Sequence, residues 1–421
     1  MEPEVSPGHE EGDVVAAVLD GVKIVEVAGW TFVPAGGGVL ADWGADVIKI
    51  EHPETGDPQR GLSIGTVGAK GAGGVSFAIE QPNRSKRSLG LNIGTEEGRE
   101  ILLRLVAKAD VFLTNLLPDR LTRLRLTVED LRAVNPQIIV ARGTGQGVRG
   151  EDANRAGFDG SSYFSRGGVA HMLMEQNMEW PPMQRPAFGD ILGGFALASG
   201  IAAALFKRER TGEPSVVDVS LLGMAAWHLS PDLVAAGLLG EANLPRFTAD
   251  DMPNPIVNYY KTADGRFIQL MMLQGDRFWP EVCELIERTD LITDERFATS
   301  KDRFVNRVEC IAVLRAAFAA RTLDEWRARM PALEGAWAVV QTPAEVLTDP
   351  QVRANGYVRS VTGQDGATTY DLVANPVQFD ETPPELTRAP DSGEHTDEIL
   401  EKELGLDWDA IVALKLNNTV N

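Results

Sequence analysis

The stretch "GVKIVEVAGWTFVPAGGGVLADWGADVIKIEHP", residues 21–53, decides the fold class. It opens with a short β-rich apolar run, "GVKIVEV" (21–27), and closes with "DVIKIEHP" (46–53), which reads as a second strand. Between them lie a glycine-rich turn and a small-residue segment, "PAGGGVLADWGA" (34–45). Strand, helix and strand within about thirty residues make a βαβ unit, which implies parallel strands. The alternation continues. "RSLGLNI" (87–93), "DVFLTNL" (110–116), "QIIVARGTG" (137–145) and "PSVVDVSLL" (214–222) read as strands. "EEGREILLRLVAKA" (96–109) reads as an amphipathic helix, and residues 191–210 as a long small-residue helix. "TVEDLRAVN" (127–135) starts with Thr127 and has Asp130 three residues on, close to a capping box. Such alternation predicts an open, doubly wound α/β sheet.

Past residue 226 the pattern changes. "NYYKTADGRFIQLMML" (258–273) predicts a hairpin with an Asp-Gly turn, and residues 305–321 predict a helix. Four segments are therefore expected. They are an acidic disordered tail (1–13), the first part of a large domain (14–225), a small domain (226–335) and a last segment (336–421).

The chain has 421 residues and a net charge of −21. That charge argues against nucleic acid and anionic membranes, because both need a basic face. No unbroken apolar run reaches the ~18 residues of a membrane span. Two cysteines, Cys283 and Cys310, show no CxxC spacing and fit a reducing cytosol, so a cytoplasmic protein is expected. The five histidines form no HxxxH or HExxH pair, and no metal is expected. No GxSxG elbow is present.

The turn after the first strand, "EVAGWTFVPAGGG", cannot be laid over a GxGxxG fingerprint, which removes a nicotinamide dehydrogenase. Ligands of open α/β sheets still bind at the carboxyl ends of strands. Thr31, Phe32, His52, Asn115 and Arg142 are the candidates there. Arg84, Lys86 and Arg87 cluster in "NRSKRSLGLN" (83–92) and form either a solvated loop or a phosphate site. In "PAFGDILGGFALASGIAAALF" (186–206) a single acid, Asp190, stands where a helix begins. Two readings are open. It is a helix cap, or it is a nucleophilic carboxylate kept ionised by the helix dipole.

Several blocks, in order, resemble the class III CoA-transferases, the family of formyl-CoA transferase, carnitine CoA-transferase and α-methylacyl-CoA racemase. They are residues 20–60 and "NRSKRSLGLNIGTEEGREIL", then "KADVFLTNLLPDRLTRLRL" and "NPQIIVARGTGQG". The later ones are residues 187–221, "YKTADGRFIQL", "TPAEVLTDPQVRANGY" and "GEHTDEILEKELGL". The resemblance covers about residues 20–410. It implies a Rossmann-like large domain made from both chain ends, a small α+β domain from the middle, and two interlocked subunits. It implies that Asp190 is the nucleophile, forming a mixed anhydride and then an aspartyl-CoA thioester, with an acyl-CoA and a carboxylic acid as substrates. It implies coenzyme A contacts at Thr31 and Phe32, at Leu91, Asn92 and Gly94, and at Asn115, Leu116 and Arg123. Further contacts fall on Arg155 to Phe158. An arginine common in the family is His52 here, and a glutamine common beside the nucleophile is Thr31. The glycine-rich flap of formyl-CoA transferase has no counterpart near "MPNPIVNYY".

The racemase branch shares the fold and the aspartate, but its chemistry needs two acid/base groups flanking one carbon. Its histidine corresponds to Phe158, and the glutamate paired with that histidine to Gln274. A phenyl ring carries no proton, so the resemblance favours a transferase. Asp159 survives beside Phe158 and is expected to point elsewhere. The Met- and Trp-rich stretch 165–186 precedes the nucleophile, and either packs in a core or lines an apolar substrate wall.

Overall fold

The structure is a computed structural model that describes residues 17–62, 74–175, 178–240 and 244–421. The expected acidic tail lies outside these residues. The chain divides into two compact units. The first comprises residues 1–172, 183–230 and 351–421, and the second residues 173–182 and 231–350.

The first unit is built on a six-stranded sheet. Its strands are β1 (Lys23–Val27), β2 (Asp46–Glu51), β3 (Arg87–Gly90), β4 (Val111–Thr114), β5 (Ile139–Thr144) and β6 (Val216–Ser220). All neighbours pair in parallel, in the order β3-β2-β1-β4-β5-β6. This is the Rossmann order, and its switch point lies between β1 and β4. Eight helices of this unit carry labels here: α1 (Phe32–Asp42), α2 (Phe77–Asn83), α3 (Glu96–Val106), α4 (Pro118–Leu124), α5 (Val128–Val134), α6 (Val169–Met172), α7 (Phe188–Thr211) and α8 (Leu221–His228); α9 (Ser230–Leu239) follows and, past Ser230, belongs to the second unit. The Thr127–Asp130 capping box forms at the start of α5.

Alternate strand residues face opposite sides of a sheet. Ile24, Val47 and Val111 join a core with α1 and α7 residues such as Val33, Leu40, Leu197 and Ile201. Val25, Ile48 and Phe112 join a second core with α3 and with Ile399, Leu400 and Ile411 near the C-terminus. Buried charges interrupt the apolar pattern of β1 and β2. Glu26 and Lys49 are register partners on β1 and β2, are fully buried, and approach to 3.3 Å.

The "GGG" of α1 has a packing reason at each position. A Cβ on Gly36 would lie 2.9 Å from the Gly194 carbonyl of α7. One on Gly37 would lie 2.0 Å from Glu26 Oε2, and one on Gly38 2.9 Å from the Pro82 carbonyl of α2. From α7, a Cβ on Gly194 would meet Gly36 N and Phe32 O, both at 2.8 Å. The two helices therefore touch backbone to backbone. By length and composition α7 qualifies as a membrane span, contrary to the expectation that none exists. Its Gly193, Gly194, Leu197, Ala198, Ile201 and Ala204 are buried, which is the property of a core helix.

The cluster read as a phosphate site is internal. Arg84 forks onto Asp42, Lys86 Nζ lies 2.7 Å from Glu26 Oε2, and Arg87 pairs with Asp46 and Glu403. Arg142 likewise forks onto Asp218. These charges are already compensated, which leaves no free cluster for an anion.

In the second unit β7 (Val257–Lys261) and β8 (Phe267–Met271) form the expected hairpin, with Gly265 at φ +80°. Then β9 (Trp337–Val339) pairs with β8, which carries this unit past residue 335. The expected helix at 305–321 is Arg307–Phe318, preceded by Ser300–Val305. Cys283 and Cys310 are buried in its core, and burial pushes both thiols up to about 12. A further antiparallel pair, β10 (Val358–Thr362) and β11 (Thr369–Val373), belongs to the first unit.

Gly194→Ala should drive α1 off α7, because the atoms in its way are backbone and cannot swing aside. The expected loss is about 1–3 kcal/mol, read by urea unfolding. Wild-type stability in this variant would show that the helix contact is loose.

Candidate active site

The loop after β1 sits at the switch point and is tied down from three sides. Asn115, at the end of β4, donates from Nδ2 to Gly29 O at 2.7 Å and accepts from Gly29 N at 3.3 Å. Asp57, in the loop after β2, accepts from Trp30 N at 3.0 Å and from Gln59 N at 2.9 Å. Gln59 Nε2 in turn donates to Thr31 Oγ1 at 2.9 Å. The other Asp57 oxygen lies 2.8 Å from Lys49 Nζ, so the buried Glu26–Lys49 pair anchors the loop. Buried charges are costly unless paired and hydrogen-bonded, and all four here, Glu26, Lys49, Asp57 and Lys86, have partners. The tie holds Trp30 at φ +67°, an outlying conformation for so bulky a residue.

Three cavities meet around Trp30, which lines all of them. One of about 490 Å³ lies over the ends of β1 to β4 and is lined by His52, Leu91, Asn92, Gly94, Asn115, Leu116 and Arg120. A second of about 520 Å³ is lined by Phe32, Asn115, Leu116, Arg120, Arg123, Phe158 and Asp190. The third, of about 650 Å³, is lined mostly by apolar groups such as Phe77, Phe158, Met183 and Ile191, with Thr31, Gln59 and Asp190. Asp190 thus faces both the second and the third. Phe158 stands edge-on to Trp30 at 5.4 Å, and both rings line those two cavities.

Neither end of the cap reading holds for Asp190. The residue before α7 is Ala187, in the left-handed region at φ +67°, and Asp190 is the third residue of the helix. Its carboxylate makes no hydrogen bond among the described residues. Burial, and then the negative charge of Asp159, push its pKa up to about 7. The dipole alone therefore does not keep it fully ionised at neutral pH. The turn is capped by Asp159 instead. Burial raises the pKa of Asp159 above the usual carboxylate value, opposed by hydrogen bonds: its Oδ2 accepts from Gly189 N at 3.1 Å, and the Gln184 side chain and the N–H groups of Phe188 and Asp190 also favour its charged form. Its Oδ1 accepts from Gln184 Nε2. Asp159 begins a π-helical turn, Asp159–Arg166, whose Tyr163 packs under Gly189 and bonds His228. It lines the third cavity with Asp190, so it does not point elsewhere.

Of the residues singled out from sequence, Thr31, Phe32, His52, Leu91, Asn92, Gly94, Asn115, Leu116, Arg123, Phe158 and Asp190 line these cavities; Arg142, paired with Asp218, does not. Nor does Arg155; it is exposed, 3.7 Å from Asp152. Thr31 is only half the story at its position, because Gln59 brings a glutamine amide onto it from another loop. Arg120 was missed, although it follows the same logic as Arg123. Both are exposed on α4, line the second cavity and have no ion pair among the described residues. Of the Met-rich stretch, Met183, Gln184, Arg185 and Pro186 line the third cavity; residues 176–177 lie outside the described residues. Gln274 stands at the start of the helix Gly275–Leu285, in the second unit. No group of three metal-ligating side chains occurs among the described residues.

The sequence profile of CoA-transferase family III matches residues 19–396. The (R)-2-hydroxy-4-methylpentanoate CoA-transferase of Clostridioides difficile is 34% identical over 406 residues, covering 96% of this chain and 99% of that protein. The cinnamoyl-CoA:phenyllactate CoA-transferase of Clostridium sporogenes is 34% identical over 393 residues, covering 92% and 93%. The crystal structure of a CaiB/BaiF family protein from Brucella suis superposes with a TM-score of 0.79 at 31% identity, covering 92% of this chain and 100% of that one. A cleft at the Rossmann switch point, an acid on the wall of two of its cavities and a match over nearly the whole chain agree: the chain is a CoA-transferase of family III.

Proposed function

We propose that this enzyme moves coenzyme A from an acyl-CoA to a carboxylic acid through covalent intermediates on Asp190. One observation carries the reading. Asp190 is a carboxylate without hydrogen-bond partners among the described residues, on the wall shared by two cavities. Coenzyme A would lie along the first two cavities. Arg120 and Arg123 suit its phosphates, since neither has an ion pair among the described residues. The acyl group would enter the third, mostly apolar cavity. Its size and its Trp30, Phe77 and Phe158 walls favour a bulky branched or aryl acid over a short one.

The steps balance without an outside reactant. An Asp190 oxygen attacks the thioester carbonyl, the C–S bond breaks, and coenzyme A leaves as the thiolate. The thiolate attacks the Asp190 carbonyl of the mixed anhydride and expels the donor acid as its carboxylate. The acceptor carboxylate then attacks the aspartyl thioester, and the released thiolate takes the acceptor carbonyl, restoring Asp190. A carboxylate whose proton affinity is raised toward neutrality is a stronger nucleophile than an ordinary one, yet still substantially ionised near pH 7. A second copy of the chain is proposed to complete the enzyme as an interlocked dimer in the cytoplasm. In support, α9 buries none of its residues, and Trp227 and Leu238 are more than three-quarters exposed.

Asp190→Ala should abolish transfer while circular dichroism stays unchanged. The wild type, given acyl-CoAs and mixed free acids in D2O, should put coenzyme A on a new acid with no deuterium at the α-carbon. Deuterium entering without added acid would mean the racemase chemistry instead. A second prediction concerns pH. A carboxyl whose folded pKa lies above its unfolded value loses stability as pH rises from about 4 to about 7. Asp190→Asn should therefore be more stable than wild type at pH 8, by roughly 2–4 kcal/mol, and no more stable at pH 4. Equal melting points at pH 8 would show that Asp190 is not desolvated.

A further inference from the structure

Asp159 is a buried carboxylate that the transfer steps do not use, only 3% exposed, in the same cavity as the reacting acid. It sits thirty-one residues before Asp190 in the sequence, on a separate element, and yet it holds the first turn of α7. The hydrogen bonds from Gly189 N and Gln184 Nε2 occupy one oxygen each. The free N–H groups of a helix start normally attract the nearest anion. With no acid at Ala187, the nearest anion within the helix itself would be Asp190, folded back onto its own turn.

We propose that Asp159 is a positioning residue for Asp190. By filling the N–H groups of the first turn of α7, it leaves the Asp190 carboxylate unbound and turned to the substrate, and it stands beside it as a like charge. The inference rests on Asp190 being the reacting carboxylate. It has two chemical consequences. The start of α7 is not available as an oxyanion hole, because its donors are already taken. The charge of Asp159 also raises the proton affinity, and hence the nucleophilicity, of its neighbour, in the direction found for Asp190. The strained Ala187 belongs to the same device: it turns the chain so that the helix opens onto Asp159 without a cap of its own.

The other charged groups near Asp190 come from the segment before α7 (Arg185) and from α4 (Asp119, Arg120 and Arg123). Tyr163, on the element of Asp159, is held up by burial and by that same charge. The remaining walls, the loop after β1 and α2, contribute Trp30, Thr31, Phe77 and Gln81, which carry no charge at neutral pH.

The test is a carboxyl carbon-13 titration of the full chain, with the Asp190 signal assigned by its loss in Asp190→Asn. Wild type should titrate near pH 7, and Asp159→Asn lower by about one pH unit or more. The acid limb of the transfer rate should move with it. Asp159→Ser, a smaller uncharged acceptor, should give the same shift and serves if the asparagine variant folds poorly. An unchanged Asp190 midpoint in a folded variant overturns the proposal. The titration of Asp190 tests the role of Asp159 without turnover, whereas retained transfer by Asp190→Ala would sink only the reading of the nucleophile.

Discussion

The close approach of α1 to α7 is the constraint on which the rest depends. Both helices cover one face of the parallel sheet, and both begin at its carboxyl edge. Contact between Gly36 and Gly194 allows their backbones to meet, so the loop before α1 and the first turn of α7 are brought to the same place. That loop carries Trp30 and Thr31; that turn carries Asp190. A side chain at either glycine would separate the aromatic wall from the acid. The small-residue composition of both helices is therefore a positional requirement of the site as much as a packing preference.

Around this contact the protein spends charge in two different ways. Glu26, Lys49, Asp57 and Lys86 are buried but mutually compensated, and they hold the loop after β1 in a conformation Trp30 would not otherwise adopt. Asp190 is desolvated without any such compensation, beside a second negative charge. The first arrangement fixes geometry. The second stores reactivity at the expense of stability, the usual trade in an active site.

Much of the fold was legible because period and turn chemistry are local. The βαβ alternation, the Thr127 capping box and the Asp-Gly hairpin all depend on residues a few positions apart. The basic run at Arg84, Lys86 and Arg87 was not legible as structure, because its counter-charges, Asp42, Glu26 and Asp46, come from other elements. Trp30 gave no signal either, since its left-handed backbone is imposed by Asp57 from the next loop. Asp190 was found, but its setting was misjudged. Helix-cap statistics see the acid at the start of α7 and cannot see Asp159 arriving from a separate π-helical turn to take the cap. Arg120 could have been found, since it lies one helical turn from Arg123 on the same face of α4.

The central claim is that Asp190 becomes covalently bonded during transfer. The most direct measurement is to incubate the enzyme with an acyl-CoA, reduce with borohydride, and map the digest by mass spectrometry. An aspartyl-CoA thioester would be reduced to the alcohol, so the account predicts that conversion at Asp190, dependent on acyl-CoA. Coenzyme A transfer with Asp190 recovered wholly unmodified, or the conversion found at another carboxylate, would contradict it.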